Sequence, residues 1–192
     1  SALGAGRTAV LSQDAYYRDR GHLDPAARAH VDFDVPDAVD LDLLRAHLET
    51  LRRGQPVSPP RYCFVTHCRL GPGEPVEPRD IVLVEGILLL HDAGVREALD
   101  LRLFVDAPDD LRVARRVTRD TAERGRTPDA VRRQCWTTVL PAHLRFVEPS
   151  RVWADLVLLN AGRLSPVVEV AAAVIHDRLA RRARVVPGEA AA

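Results

Sequence analysis

Four short apolar runs constrain this chain most. Residues 7–13 end "AVLSQ", just ahead of Asp14, and "DIVLVEG" (80–86), "LRLFVDA" (101–107) and "ADLVLLN" (154–160) follow. The last three are near-continuous in apolar residues, the pattern of strands buried on both faces of a parallel sheet. Segments with helical patterning lie between or after them, at about 93–99, 108–123, 128–146 and 165–183. Strands alternating with helices predict an α/β chain with a mostly parallel sheet covered on both sides. With 192 residues, no internal repeat and no long linker, one domain is expected over 1–186, with a loose tail over 187–192.

The remaining segments decorate that frame. "SALGAG" reads as the frayed end of a helix. "RDRGHLDPAARAHV" reads as a loop with a short helical turn, and "DFDVPDAVD" (32–40) as an acidic, Pro-broken loop. Asp40 is placed to cap a helix whose Leu41, Leu44, Leu48 and Leu51 follow helical spacing, with Gly54 as its stop. Residues 55–80 are rich in Pro and Gly yet contain the alternating "RYCFVTH", which predicts a small inserted hairpin.

Composition excludes several classes. No apolar run approaches the roughly 20 residues that span a bilayer; "IVLVEGILLL" (81–90) is broken by Glu85. The formal net charge is zero, against a nucleic acid or membrane partner. Cys63, Cys68 and Cys135 form no C-x-x-C pair and fit reduced thiols in a cytoplasmic protein without a signal peptide. The chain has no methionine, so it is expected to be a fragment or trimmed chain; it also has no lysine.

Three groups of residues carry chemistry. Asp14, Glu85 and Asp106 stand at or just after strand ends, where ligands of parallel sheets bind. Each alone fits a loop or cap carboxylate; two on neighbouring strands fit a base and a metal ligand sharing one crevice. "RVARRVTRDTAERGRT" (112–127) concentrates Arg112, Arg115, Arg116, Arg119, Arg124 and Arg126. It reads either as a solvated helix face with i,i+4 pairs such as Asp120 with Arg124, or as a guanidinium-rich edge for phosphoryl transfer. Tyr62, Phe64 and His67 are read on one short strand, with Phe33 and Asp34 in the acidic loop. They fit either a hairpin core or a sandwich for a flat ring whose edge His67 reads.

"LSQDAYYRD", "FDVPDAVD", "RYCFVTHCR", "VLVEGILLL", "LRLFVDA" and "RRVTRDTAERGR" together resemble, in order and interval, the blocks of uridine kinases. These uridine–cytidine kinases belong to the phosphoribulokinase/uridine kinase branch of P-loop kinases, and the resemblance runs to about residue 170. It implies a P-loop kinase-like three-layer fold with a β-hairpin insertion and an Arg-rich lid. It also implies ATP and Mg²⁺, a pyrimidine nucleoside substrate for pyrimidine salvage, and members that often form homo-oligomers. By position, Asp14 matches the carboxylate that takes the proton of the nucleoside 5′-hydroxyl. Asp34 matches the ribose-hydroxyl ligand, and Tyr62 and His67 the pyrimidine contacts, with Phe33 and Phe64 available for stacking. Arg116, Arg126 and Gln134 match further substrate contacts, Arg119 and Arg124 the lid, and Glu85 the acid near Mg²⁺, acting through water.

The chain departs from the family at Cys63, where Asp is common, at Val35, where His is usual, and at Cys68, where Ser is common. The larger departure is at the start. Members carry a strand, a G-x-x-x-x-G-K-[ST] loop and a helix ahead of the "LSQD" strand. Gly4 and Gly6 do not fit that loop, and the absent lysine removes its Walker A residue. The first strand and P-loop are therefore expected to be missing, and this chain alone to be inactive. The rival expectations are a non-catalytic nucleoside-binding or regulatory protein, and a kinase with another alcohol acceptor.

Overall fold

The computed structural model describes residues 2–4, 6–29 and 31–185, so the tail expected over 187–192 lies outside them. In chain order the strands are β1 (Thr8–Ser12), β2 (Pro60–Cys63), β3 (Cys68–Pro72), β4 (Ile81–Glu85), β5 (Leu103–Asp106) and β6 (Leu156–Leu159). The helices are α1 (Pro25–Ala29), α2 (Leu41–Arg52), α3 (Ala93–Glu97), α4 (Asp109–Arg124), α5 (Pro128–Gln134), α6 (Leu140–Ala142) and α7 (Leu164–Val185). Ahead of β1, turns replace the frayed helix end expected there, because Gly4 and Gly6 take left-handed φ of +88° and +79°.

The main strand pairs are parallel, as the βα alternation requires. β1 lies against β4 with Thr8 opposite Ile81 and Ser12 opposite Glu85. β5 lies against β6 with Leu103 opposite Leu156 and Asp106 opposite Leu159. Among the described residues each pair is two-stranded and β4 and β5 do not hydrogen-bond to each other; both line one cavity of about 1540 Å³. The antiparallel β2–β3 hairpin is the expected insertion.

The core forms on one side of β1–β4. Leu11, Tyr16, Val39, Leu44, Leu88 and Val95 are fully buried there, and α2 adds Leu41, Leu48 and Leu51 at the spacing the sequence predicts. Asp40 caps α2 by accepting from the Leu43 N–H at 3.3 Å, and Gly54 ends it at φ +76°. Burial on both strand faces is not observed. The pleat turns Ala9 and Leu11 inward, while Val10, Leu83, Val105 and Leu159 face outward and are exposed.

The helical run expected over 128–146 begins as α5 and widens into π-turns at Cys135–Val139 and His143–Val147. Pro141 lies between them; it has no N–H to donate, and its ring crowds the preceding turn. Among the described residues no helix is long and apolar enough to cross a membrane.

Candidate active site

The segment after β1 turns sharply. Ser12 Oγ accepts from the Asp14 N–H at 3.3 Å and opens a 3₁₀ turn over Gln13–Tyr16. Gln13 points inward and is fully buried, and its Oε1 accepts from the Leu88 N–H at 2.8 Å. Gly86 leaves room for it: a Cβ there would lie 2.3 Å from the Cβ of Gln13. The turns leaving β1 and β4 are thereby locked together, and Asp14 lies near enough to Glu85 to feel its charge. Burial first, then the charge of Glu85, lifts the Asp14 carboxyl above its ordinary value; Arg124 and Arg119 pull it back, and Asp34 adds to the rise.

The hairpin is pinned beside this crevice by Arg69. Its Nε donates to Tyr17 O at 2.8 Å, its Nη2 to Tyr16 O at 3.1 Å and Asp40 Oδ2 at 3.2 Å, and its N–H to Asp19 Oδ1 at 3.1 Å. Tyr17 then packs against Tyr62 with ring centroids 5.2 Å apart. Its phenol is pushed up first by burial, then by the charges of Asp14 and Asp34 and by Tyr62.

Phe64 and His67 do not extend the strand of Tyr62, contrary to the alternating pattern. β2 stops at Cys63, and residues 64–67 form the turn, closed by a His67 N–H to Cys63 O bond of 2.8 Å. His67 takes the left-handed φ of +53° that lets four residues reverse the chain. The aromatic side chains nevertheless converge. His67 stacks on Phe33 at 4.5 Å and 18°, Phe64 meets Tyr62 edge-on at 5.4 Å, and Phe33 meets Tyr17 edge-on at 5.6 Å. Tyr62 Oη and His67 Nδ1 are buried without a hydrogen-bond partner among the described residues. Burial pushes the Tyr62 phenol up to about 12 and holds the His67 imidazole below its ordinary value.

The arginines of α4 converge on a residue read from sequence only as one half of an i,i+4 pair. Asp120 is fully buried and gathers Arg119 at 2.8 Å, Arg124 at 3.6 Å, and Arg116 and Arg126 at 3.7 Å. Gly125 ends α4 at φ +63°, which turns Arg126 back toward Asp120. Arg126 also donates to Gln134 Oε1. Arg116 reaches Asp34 at 4.0 Å. Asp34 is buried, which raises its carboxyl, and Arg116 is the strongest force lowering it. Arg124 lies over the Phe64 ring, 5.1 Å from its centroid.

Of the residues singled out from sequence, all but Asp106, Arg112 and Arg115 are thus joined directly or through one neighbour; Arg115 donates instead to Asn160. Asp106 pairs instead with Arg151 at 3.0 Å and lines a small separate cavity with Arg112 and His143. Gln13, Tyr17, Arg69 and Asp120 were not singled out for the site. Asp120 alone left a signal, being four residues from both Arg116 and Arg124.

The crevice offers a strand-end carboxylate, a second buried carboxylate, an aromatic box with unpartnered polar atoms, and several arginines. Residues 3–164 match the phosphoribulokinase/uridine kinase family. The chain is 44% identical over 177 residues to a uridine kinase of Chloroflexus aggregans, covering 92% of this chain and 85% of that protein. It is 40% identical over 177 residues to a uridine kinase of Aeromonas hydrophila, covering 92% of this chain and 83% of that one. Among solved structures, phosphoribulokinase from Rhodobacter spheroides superposes with a TM-score of 0.56 at 17% identity, covering 80% of this chain and 60% of that chain. That likeness gives the fold, an α/β P-loop kinase-like architecture, and the sequence matches give the kinship: the chain belongs to the phosphoribulokinase/uridine kinase family.

Proposed function

We propose that the site is that of a nucleoside kinase which transfers the γ-phosphoryl group of ATP to the 5′-hydroxyl of uridine or cytidine. The observation that carries this reading is the convergence of Asp14, Asp34 and the Tyr62–His67 aromatic box on one crevice. A pyrimidine fits a box whose walls are rings and whose buried Tyr62 Oη and His67 Nδ1 lack partners. Asp34, 4.0 Å from Arg116, accepts from the ribose 2′- and 3′-hydroxyls. Asp14 then faces the remaining alcohol. It takes the 5′-OH proton as the new O–P bond forms and the bond to the leaving ADP breaks, a role that suits a carboxyl raised above its ordinary value.

Arg119 and Arg124 lie near enough to Asp14 to act on its charge, and they serve the spreading charge of the phosphoryl oxygens. Mg²⁺ takes one or two carboxylates and otherwise phosphate oxygens and water. Glu85 is the residue that would hold it, and the ion would neutralise phosphate charge.

The 192 residues contain no lysine, so they cannot supply the lysine of a G-x-x-x-x-G-K-[ST] loop. We propose accordingly that they bind nucleoside without turning it over, and that transfer requires a G-x-x-x-x-G-K-[ST] segment upstream of Ser1. Calorimetry of the 192-residue chain with uridine and cytidine tests the first part. Binding is expected, with affinity lost in Asp34→Asn; no binding of either nucleoside overturns it. The second part fails if a chain carrying such a segment phosphorylates no nucleoside with ATP.

A further inference from the structure

The family blocks leave Cys63 and Cys68 without a role, yet the hairpin register sets them directly opposite each other across β2 and β3. Directly opposed residues of an antiparallel pair have Cα atoms about 4.5 or 5.5 Å apart, and a disulfide needs about 4.4–6.8 Å, so either pair type suffices. Both are free thiols and half-buried, whereas Cys135 is buried.

The surroundings of Cys63 favour its thiolate. Hydrogen bonds from the Thr66 hydroxyl and from the Thr66 and Val65 N–H groups hold the Cys63 thiol below its ordinary value. Arg28 Nη1 donates to Cys68 Sγ at 3.0 Å and to Thr66 O at 2.7 Å, placing a guanidinium beside the second sulfur.

We propose that Cys63 and Cys68 form a reversible dithiol–disulfide pair that closes the tip of the hairpin. The oxidant is a small-molecule disulfide. The Cys63 thiolate attacks one of its sulfurs and releases one thiolate, leaving a mixed disulfide on Cys63. The Cys68 thiolate attacks Cys63 Sγ, forms the internal disulfide and releases the second thiolate. The two cysteine protons pass to solvent or to the departing thiolates. The two sulfurs are oxidised by two electrons in all, and the small disulfide is reduced by two.

Closure encloses Phe64 and His67 in a ring ending at residues 63 and 68 and takes Cys68 Sγ out of its bond to Arg28. A change in nucleoside binding on closure rests on the function proposed above; the thiol chemistry does not.

Trypsin cuts after Arg61 and Arg69, so the peptide Tyr62–Arg69 carries both thiols and Cys135 falls elsewhere. The 192-residue chain is equilibrated in stepped ratios of glutathione disulfide to glutathione, acid-quenched, alkylated, digested and weighed. The expected result is a Tyr62–Arg69 peptide that loses both alkylation sites and two hydrogens together, recovers both under reductant, and forms no internal bridge in Cys63→Ser or Cys68→Ser. Two alkylated thiols at every ratio, or a persistent mixed disulfide on Cys63, overturns the proposal. Uridine affinity is measured on the reduced and closed samples, with a fall of about fivefold expected on closure, the worth of one hydrogen bond. Equal affinity overturns the gating consequence alone. A reduced form that binds no nucleoside counts against the proposed function and leaves the mass result standing.

Discussion

At Asp14 two opposing influences act on one carboxyl. Burial and Glu85 favour the protonated form, and Arg119 and Arg124 favour the ionised one, with a net rise. Asp14→Asn should lower kcat by about 10²–10⁴, the usual loss on removing a general base. This is read by steady-state assay of a chain that carries a P-loop, and wild-type kcat there should reject the base. With Asp14 in place, that P-loop-carrying chain should show a rate that climbs with pH through a pKa above the ordinary Asp value of 3.8. Stability has the opposite sign. A carboxyl raised in the folded state costs stability that grows as pH rises above its ordinary value of 3.8, is complete above the folded pKa, and is absent only below 3.8. Asp14→Asn should therefore match or exceed the wild-type chain in denaturant midpoint at neutral pH, with the advantage shrinking in acid. Asp14 was legible in the sequence because a carboxylate follows an apolar run. Its raised pKa was not, since Glu85 and Arg124 lie far from it along the chain.

Among the elements, the two turns leaving β1 and β4 set the site. Gly86→Ala forces a Cβ into Gln13, and overpacking of this kind costs about 1–3 kcal/mol. A urea melt should record the loss, and an unchanged midpoint would mean that the Gln13 side chain moves away freely. α4 depends on Asp120 in a comparable way. Asp120→Asn removes the charge that holds four arginines. Removing one partner of a fully buried pair costs about 3–5 kcal/mol, and here about 2 kcal/mol is expected because the arginines reach solvent. The measurable signs are a lower melting temperature and a weaker salt dependence of stability. The helical and strand periods of these elements were readable at once. The end of β2 at Cys63 was not, because "RYCFVTH" alternates like a strand throughout while the left-handed turn at His67 interrupts it.

Over the whole molecule, buried contacts are unevenly shared. The core cluster draws almost entirely on residues 11–95, with Phe104 and Val147 reaching in from later elements. Among the described residues, α7 contributes only Ala172 to the buried set, and β6 contributes nothing. Amide exchange followed by mass spectrometry should find β1, β4 and α2 the slowest and α7 with β6 the first to open. Uniform exchange along the chain would contradict an uneven core. The α/β class, the order of elements, the capped α2 and the family kinship follow from local patterns, because hydrophobic period, capping residues and short motifs are properties of neighbouring residues. The meeting of Asp14 with Glu85, the stack of Phe33 on His67 and the gathering of arginines around Asp120 were decided by the folded chain. They depend on strand register, on turns and on burial, which bring together groups that no spacing along the chain relates.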